Sequence, residues 1–365
     1  MDHTLINTSE PDISGWTASG SKKALVLMSG GVDSTAAALL LLREGYSLAG
    51  MTMEITEGSK GAATESAASV CRSLSIPHIS VNISADFKKS VVEPFCSSYS
   101  RGLTPNPCAD CNERIKFGLL LKIAEEKLGN DFFLATGHYA KIIHNEGKFR
   151  LAMGANKTKD QSYFLSGIPA AILPRIIFPL GDFRSKEDTR ALVRASGLAV
   201  SEKPESMEIC FANEYGYRTM ISGGSTPGPI TDTAGKVIGE HSGIAGYTLG
   251  QRKGLGIASR DPLFVISILP EKNTIVAASR EEAFRSTVTA VSVNILDMAF
   301  MEEGSLLKGK IRSQGDPQTC TLVSFCRESV TVRFSKPVFA PAPGQRLVLY
   351  AEDEFVAAGG VISGS

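Results

Sequence analysis

The sequence holds a single tryptophan, no excess of either charge and no apolar run approaching the length of a membrane-spanning helix. The last absence excludes a helical integral membrane protein. Lysine and arginine number 38, as do aspartate and glutamate, so no global field advertises a nucleic-acid partner. RNA binding would therefore need a local patch. The 7 cysteines, an odd number in a chain of 365 residues, do not suit the disulfide framework of a small secreted domain. They read as reduced thiols of a cytoplasmic protein. The first twenty-one residues carry Asp2, Glu10 and Asp12 but no arginine and no apolar core. They are neither a signal nor a transit peptide, and residues 1–21 read as a flexible N-terminal tail. Hydrophobic residues (43%) and charged residues (21%) occur as in ordinary globular proteins. The length exceeds what one core usually serves.

What is present begins with Ser29-Gly30-Gly31-Val32-Asp33-Ser34. It lies between an apolar run, Ala24 to Met28, that reads as a buried strand, and Thr35 to Glu44, a helix closed by Gly45. A glycine pair at a strand-to-helix junction lets backbone N–H groups turn toward one point at the positive end of the helix, which suits a phosphate. No Gly-Lys-Ser/Thr follows, so this is not the common P-loop, and the Gly-x-Gly-x-x-Gly spacing is missing too. The pattern resembles the pyrophosphate loop of enzymes that split ATP into AMP and pyrophosphate.

From Ala24 to about Leu180 strands and helices alternate. Strands are expected at 47–55, 78–83 and 132–136, and helices at 62–74, 85–99 (kinked at Pro94), 115–128 and 185–195. Such alternation predicts a parallel sheet covered on both faces, with the loop at the carboxyl end of the first strand. After Phe211 the helical period disappears and glycine-rich turns separate short strands. The expected organisation is thus an α/β catalytic domain over 22–212, a small central β domain over 213–282 and a C-terminal β-barrel over 283–365. Between Leu306 and Tyr350, Lys308, Lys310, Arg312, Arg327, Arg333, Lys336 and Arg346 face only Asp316 and Glu328, a locally basic end in a neutral chain. On charge alone, a solvated barrel surface fits this run equally well.

Two cysteine segments carry further chemistry. In Gly102-Leu103-Thr104-Pro105-Asn106-Pro107-Cys108-Ala109-Asp110-Cys111-Asn112, two prolines mark an irregular loop. Asn112 is expected to cap the following helix, placing Cys111 beside its positive end. A lone Cys-x-x-Cys is compatible with half a zinc site, a redox pair or two ligands of an iron–sulfur cluster. The second segment is Lys203-Pro204-Glu205-Ser206-Met207-Glu208-Ile209-Cys210-Phe211. Cys71, Cys96, Cys320 and Cys326 are expected to be packed apolar residues.

These segments occur in one order with Ala135-Thr136-Gly137-His138-Tyr139-Ala140, Lys159-Asp160-Gln161-Ser162-Tyr163-Phe164-Leu165, Phe178-Pro179-Leu180-Gly181 and Tyr247-Thr248-Leu249-Gly250-Gln251-Arg252-Lys253-Gly254-Leu255-Gly256. The series resembles the tRNA-specific 2-thiouridylase family from about Lys23 to the last strands. The resemblance implies an α/β fold with a parallel-sheet adenine nucleotide α-hydrolase-like domain, followed by a small β domain and a C-terminal β-barrel. It implies ATP-dependent replacement of the C2 oxygen of a tRNA wobble uridine by sulfur. ATP and Mg2+ would be held by Ser29, Gly30, Gly31, Val32, Asp33 and Ser34, with Met53 and Gly137. Cys111 matches the catalytic cysteine and Cys210 the one that receives sulfur as a persulfide. Asn106, Pro107 and Cys108 match the segment around the target base. His138, Lys159, Asp160, Gln161, Arg312 and Gln345 match tRNA contacts. A sulfur-donor protein is the implied second partner, and no membrane is involved.

The chemistry fits these residues. Oxide cannot leave C2 of uracil at neutral pH, but an oxygen adenylated at the α-phosphate leaves as AMP. A persulfide on Cys210 supplies the sulfur, and Cys111 releases it by disulfide formation or by prior reduction. Cys108 stands where some members carry aspartate, which admits a variant in which Cys108, Cys111 and Cys210 hold an iron–sulfur cluster. Met207 replaces a commoner glutamine, and Ser313 an aromatic residue. Two rivals share the loop, a small-molecule-amidating ATP pyrophosphatase and a non-catalytic sulfur carrier. The paired cysteines argue against the first, and intact Ser29, Asp33 and Ser34 against the second.

Overall fold

The structure, a computed structural model, describes residues 3–7, 12–17, 20–56, 61–198, 200, 210–211, 226–352 and 354–364. The chain divides into two units, Met1–Ser90 with Asp110–Met207 and Val91–Ala109 with Glu208–Ser365.

The first unit opens with β1 (Leu5–Asn7) and α1 (Ile13–Thr17). Here the structure corrects the expected loose tail. β1 pairs antiparallel with β4 (His78–Asn82), Leu5 opposite Val81, and Trp16 is buried with its indole N–H donating to Ser47 O at 2.9 Å. A three-residue strand among acidic residues carries no period to read. The expected strands follow as β2 (Lys23–Leu27), β3 (Ser47–Glu54), β4 and β5 (Phe133–Ala135). With β8 (Ile176–Ile177) they form the sheet β1-β4-β3-β2-β5-β8, parallel except at β1. Helices α2 (Val32–Arg43) and α3 (Ala62–Ser73) cover one face, where Ala38, Leu41, Ala67, Val70 and Cys71 pack on Ala24, Val26 and Met28. Burial of this kind on both faces is why the strands read as continuous apolar runs.

After β4 the chain runs through α4 (Ser84–Phe87) and a wide π turn over Lys88–Val92 into α5 (Glu93–Ser100), which belongs to the second unit. Pro94 sits in the first turn of α5, and its missing N–H accounts for the widened turn before it. The next helix begins earlier than the sequence reading places it. It starts as α6 (Pro107–Asp110), widens to a π segment over Cys111–Leu119 and ends as α7 (Leu120–Leu128). The hairpin β6 (Ala140–Asn145) and β7 (Lys148–Met153), α8 (Ser162–Leu165) and α9 (Lys186–Ala195) complete the unit.

In the second unit, β9 (Gly228–Thr231), β10 (Val237–His241), β11 (Phe264–Leu269) and β12 (Thr274–Ala278) form a sheet in the order β10-β9-β12-β11 around Ile230, Val265, Ile275 and Ala277. The barrel consists of β13 (Phe284–Ile295), β14 (Leu306–Lys310), β15 (Gln318–Phe325), β16 (Ser329–Phe339), β17 (Arg346–Ala351) and β18 (Phe355–Ile362). Its order is β13-β16-β15-β14-β17-β18, closed by antiparallel pairing of β13 with β18. Closure leaves no open edge among these six strands.

Two expectations for the barrel change. Lys310 and Arg346 are buried, so five rather than seven of the basic residues bear on its surface. Cys326 is exposed in the β15–β16 turn, where the Ser329 hydroxyl and neighbouring backbone N–H groups lower its pKa. Cys71 and Cys320 are core thiols as expected, each pushed up to about 12 by burial. Among the described residues no helix is long and apolar enough to cross a membrane.

Candidate active site

β2 ends at the carboxyl edge of the sheet and runs directly into Ser29–Gly31 and the start of α2. Gly31 caps α2 without a side chain, so the loop itself supplies no group to satisfy the first N–H donors of the helix. Gly30 holds a φ of +67°, and a Cβ there would meet Ser66 Cβ at 2.7 Å, so only glycine fits between the loop and α3. The Ser29 and Ser34 hydroxyls lie 3.3 Å apart. From the next strand, Gly137 closes on the same point. A Cβ at Gly137 would fall 2.6 Å from Asp33 C and 2.8 Å from Ser34 N, so the two loops touch backbone to backbone. Met53, half-buried, is the penultimate residue of β3, beside Glu54.

Asp33 is the electrostatic centre. Lys186 Nζ donates to both of its oxygens, at 2.6 and 2.7 Å, and Tyr139 Oη donates to Oδ1 at 3.0 Å. Sequence reading missed Lys186. It is the first residue of α9, placed by a capping box in which Ser185 Oγ accepts from Asp188 N and the Asp188 carboxylate accepts from Ser185 N. A signal was available. A lysine in the first turn opposes the helix dipole and calls for a nearby anion. Tyr139 is positioned by Gln161, whose Oε1 accepts from Tyr139 N at 3.0 Å while Gln161 N donates to Tyr139 O at 2.9 Å.

The residues matched to tRNA contacts divide by environment. Asp160 is buried and accepts from Gly154 N, Ser162 N and Ser162 Oγ. It and Gln161 thus brace the first unit and present the exposed Lys159 on the turn before them. His138 Nδ1 lies 2.6 Å from Thr136 Oγ1, and its ring packs against Phe117 and Phe178. Burial first, and Lys116 second, hold its pKa well below the ordinary 6.5. In the second unit, Arg312 is exposed and donates to the carbonyls of Phe339 and Ala340. Gln345 Nε2 donates to Thr104 O at 3.1 Å, and Thr104 N donates to Pro343 O at 2.8 Å. Gln345 is thereby tied to the backbone leading into Asn106. Arg312, Thr104, Thr248 and Gln345 line one cleft of about 240 Å³.

The structure corrects the helix start near the cysteines. Asn106, not Asn112, is the cap: its Oδ1 accepts from Ala109 N at 3.1 Å, and Pro107 takes the first helical position, where its lack of an N–H is harmless. Cys108, exposed, therefore occupies the first turn, and Cys111, 7% exposed, comes a turn later. Asn112 is buried and donates to Phe164 O. Of the second segment, Phe211 is buried edge-on to Phe95 and Cys210 is exposed. Lys203 to Ile209, with Met207, lie outside the described residues. Among the described residues no group of three or more His, Cys, Asp or Glu gathers to hold a metal ion, so the cluster variant gains no support.

Comparison with known proteins decides the family. Residues 22–214 match the tRNA methyl transferase HUP domain family, 221–279 the tRNA methyl transferase PRC-barrel domain and 285–362 the aminomethyltransferase β-barrel domain. The tRNA-specific 2-thiouridylase of Syntrophus aciditrophicus is 41% identical over 352 residues, covering 93% of this chain and 92% of the relative. The chain belongs to the tRNA-specific 2-thiouridylase family. Further 2-thiouridylases agree, from Nostoc punctiforme (38% identical, 93% of this chain and 99% of the relative) and Dehalococcoides mccartyi (39%, 94% and 97%). A solved 4-thiouridine synthetase–RNA complex with bound ATP is 20% identical, with a TM-score of 0.36 over 55% of this chain and 50% of that one, too little to bear on function. The 2-thiouridylase match spans the α/β, central and barrel segments alike, as the architecture above requires.

Proposed function

We propose that this protein is an ATP-dependent tRNA sulfurtransferase that converts the wobble uridine to 2-thiouridine, acting in the cytoplasm. The observation that carries the reading is the convergence of Gly30, Gly137 and the Lys186-bound Asp33 at the N-terminus of α2, in a chain whose relatives bear that name along nearly their whole length. In this reading residues 22–212 bind ATP and do chemistry, 213–282 form a central β domain and 283–365 contact tRNA.

ATP lies on residues 29–34, with Met53 and Gly137 beside the nucleoside. The Asp33 carboxylate and the Ser29 and Ser34 hydroxyls would offer Mg2+ an all-oxygen set, together with the substrate phosphates. That ion would neutralise charge developing on the phosphates. The flipped uridine, flanked by Asn106, Pro107 and Cys108, presents O2 to the α-phosphate. O2 displaces pyrophosphate and becomes adenylated. The outer sulfur of a Cys210 persulfide adds to C2, AMP leaves with the former O2, and the Cys111 thiolate attacks the inner sulfur to form a Cys111–Cys210 disulfide. A thiol reductant resets that disulfide, and a sulfur-donor protein reloads Cys210. Lys159, Arg312 and Gln345 contact tRNA, with His138, Asp160 and Gln161 shaping the surface behind Lys159.

Serine variants test the scheme, read by nucleoside mass analysis of tRNA. Cys111→Ser and Cys210→Ser should each abolish thiolation, because a hydroxyl neither carries sulfane sulfur nor forms the disulfide. Cys108→Ser should keep substantial activity. Loss of activity together with bound iron in all three variants would replace this scheme by the cluster one.

A further inference from the structure

Parallel strands buried on both faces are as a rule apolar. β3 and β4 break that rule on one face. Their register pairs Gly50 with His78, Thr52 with Ser80 and Glu54 with Asn82. These positions share the face of α3, since a Cβ at Gly50 would meet Cys71 Sγ of α3, Met28 Cγ and His78 Cδ2. The inner part of the strip satisfies itself: Thr52 Oγ1 donates to Met28 O at 2.7 Å and lies 2.8 Å from His78 Nε2. The outer part does not. Among the described residues, Ser80 Oγ and Glu54 Oε1 are both buried atoms with no hydrogen-bond partner. A carboxylate oxygen withdrawn from water without a donor is costly, so such an atom calls for a water, an ion or a ligand to satisfy it.

The position of Glu54 says which ligand. It is the last residue of β3, at the carboxyl edge of the sheet, beside Met53. The neighbouring strand β2 leads into Gly30 and Gly31, and Ser66 of α3 donates to Gly30 O at 3.0 Å, so the same face carries the phosphate loop. Dinucleotide-binding sheets place an acidic residue at this topological point, about twenty residues after the glycine loop, to hold a nucleoside hydroxyl.

We propose that Glu54 reads the nucleoside of the nucleotide held on the Ser29–Ser34 loop, its buried oxygen accepting from an N–H or O–H donor, either the 6-amino group of adenine or a ribose hydroxyl. This rests on the nucleotide site proposed above and adds a residue that sets its selectivity. The full-length protein, the isosteric Glu54→Gln variant and Glu54→Ala are titrated calorimetrically with ATP, 2′-deoxy-ATP and ITP, with thermal melts as folding controls. Wild type should prefer ATP over one of the two analogues by about tenfold, the worth of one charge-assisted hydrogen bond. Glu54→Ala should bring that ratio near one. If the base is read, Glu54→Gln gains affinity for ITP, because an amide N–H can face the 6-oxo group. If the ribose is read, the deoxy ratio collapses and the ITP ratio stays. ATP binding with both ratios unchanged in folded Glu54→Gln and Glu54→Ala overturns the inference and leaves the nucleotide site standing. A wild type that binds none of the three overturns the nucleotide site, and the inference with it.

Discussion

One ammonium group spans both carboxylate oxygens of Asp33: Lys186 Nζ lies 2.6 Å from one and 2.7 Å from the other. The side chains are 17% and 36% exposed, so the pair is partly shielded from solvent rather than lying on an open surface. It occupies the carboxylate proposed above to bind magnesium. Lys186 would then be a positioning residue that holds Asp33 toward the start of α2 and would compete with the ion for it. An ion held by Asp33 would leave the Lys186 ammonium free for another anion at the start of α2.

Lys186→Met should then have two effects of opposite sense. Turnover in the ATP-dependent step should fall on the order of a hundredfold, the scale of losing one preorganised donor. The magnesium concentration giving half-maximal rate should also fall, because the competitor is gone. AMP release measured across a magnesium series, with tRNA affinity measured alongside, checks both. A purely structural role for Lys186 would lower activity without moving the magnesium midpoint.

Gly137→Ala should disable the site through packing. The new Cβ would sit 2.6 Å from Asp33 C, among backbone atoms that have nowhere to go. Overpacking of this kind costs about 1–3 kcal/mol. A lower urea midpoint with unchanged slope, together with loss of ATP binding, is the expected result. Unaltered ATP affinity would show that the Gly137 loop stands apart from the nucleotide.

His138 yields a pH dependence of definite sign. Its folded pKa is held well below 6.5, first by burial and then by Lys116, so the unfolded chain binds the proton more readily. The stability it contributes is complete above pH 6.5 and declines as pH falls below that value toward the folded pKa. The limiting slope is about 1.4 kcal/mol per pH unit for one proton. His138→Gln should remove that component from urea midpoints measured between pH 7 and pH 5. Parallel wild-type and variant curves would mean that His138 titrates normally.

What was legible in the sequence was local. Strand, glycine pair and alanine-rich helix follow one another in Ala24 to Arg43, and each is specified by its own neighbours, so the phosphate loop could be placed without coordinates. Lys186 comes from 153 residues beyond Asp33, and nothing near Asp33 announces it. The start of the cysteine helix was misread because two prolines suggest a loop, whereas Pro107 suits a first helical position once Asn106 caps it. The last barrel strand is hard to read from the sequence for a different reason. Ala357, Ala358, Gly359 and Gly360 lack the branched side chains that mark strands, and they are small because β13 packs closely there: a Cβ on Gly360 would stand 3.1 Å from Ala290 Cβ. Charge counting misled at Lys310 and Arg346 because composition does not report which basic side chains face inward.

The edge strand near the N-terminus bears on how the chain is made. Leu5 leaves the ribosome well before its partner, Val81, which follows only after β2, α2, β3 and α3 have been translated. Synthesis runs from the N-terminus, so β1 must wait, unpaired, while the core of the sheet assembles beside it. β1 thus docks only after β2, β3 and β4 have been made, and its docking covers the otherwise open edge of β4.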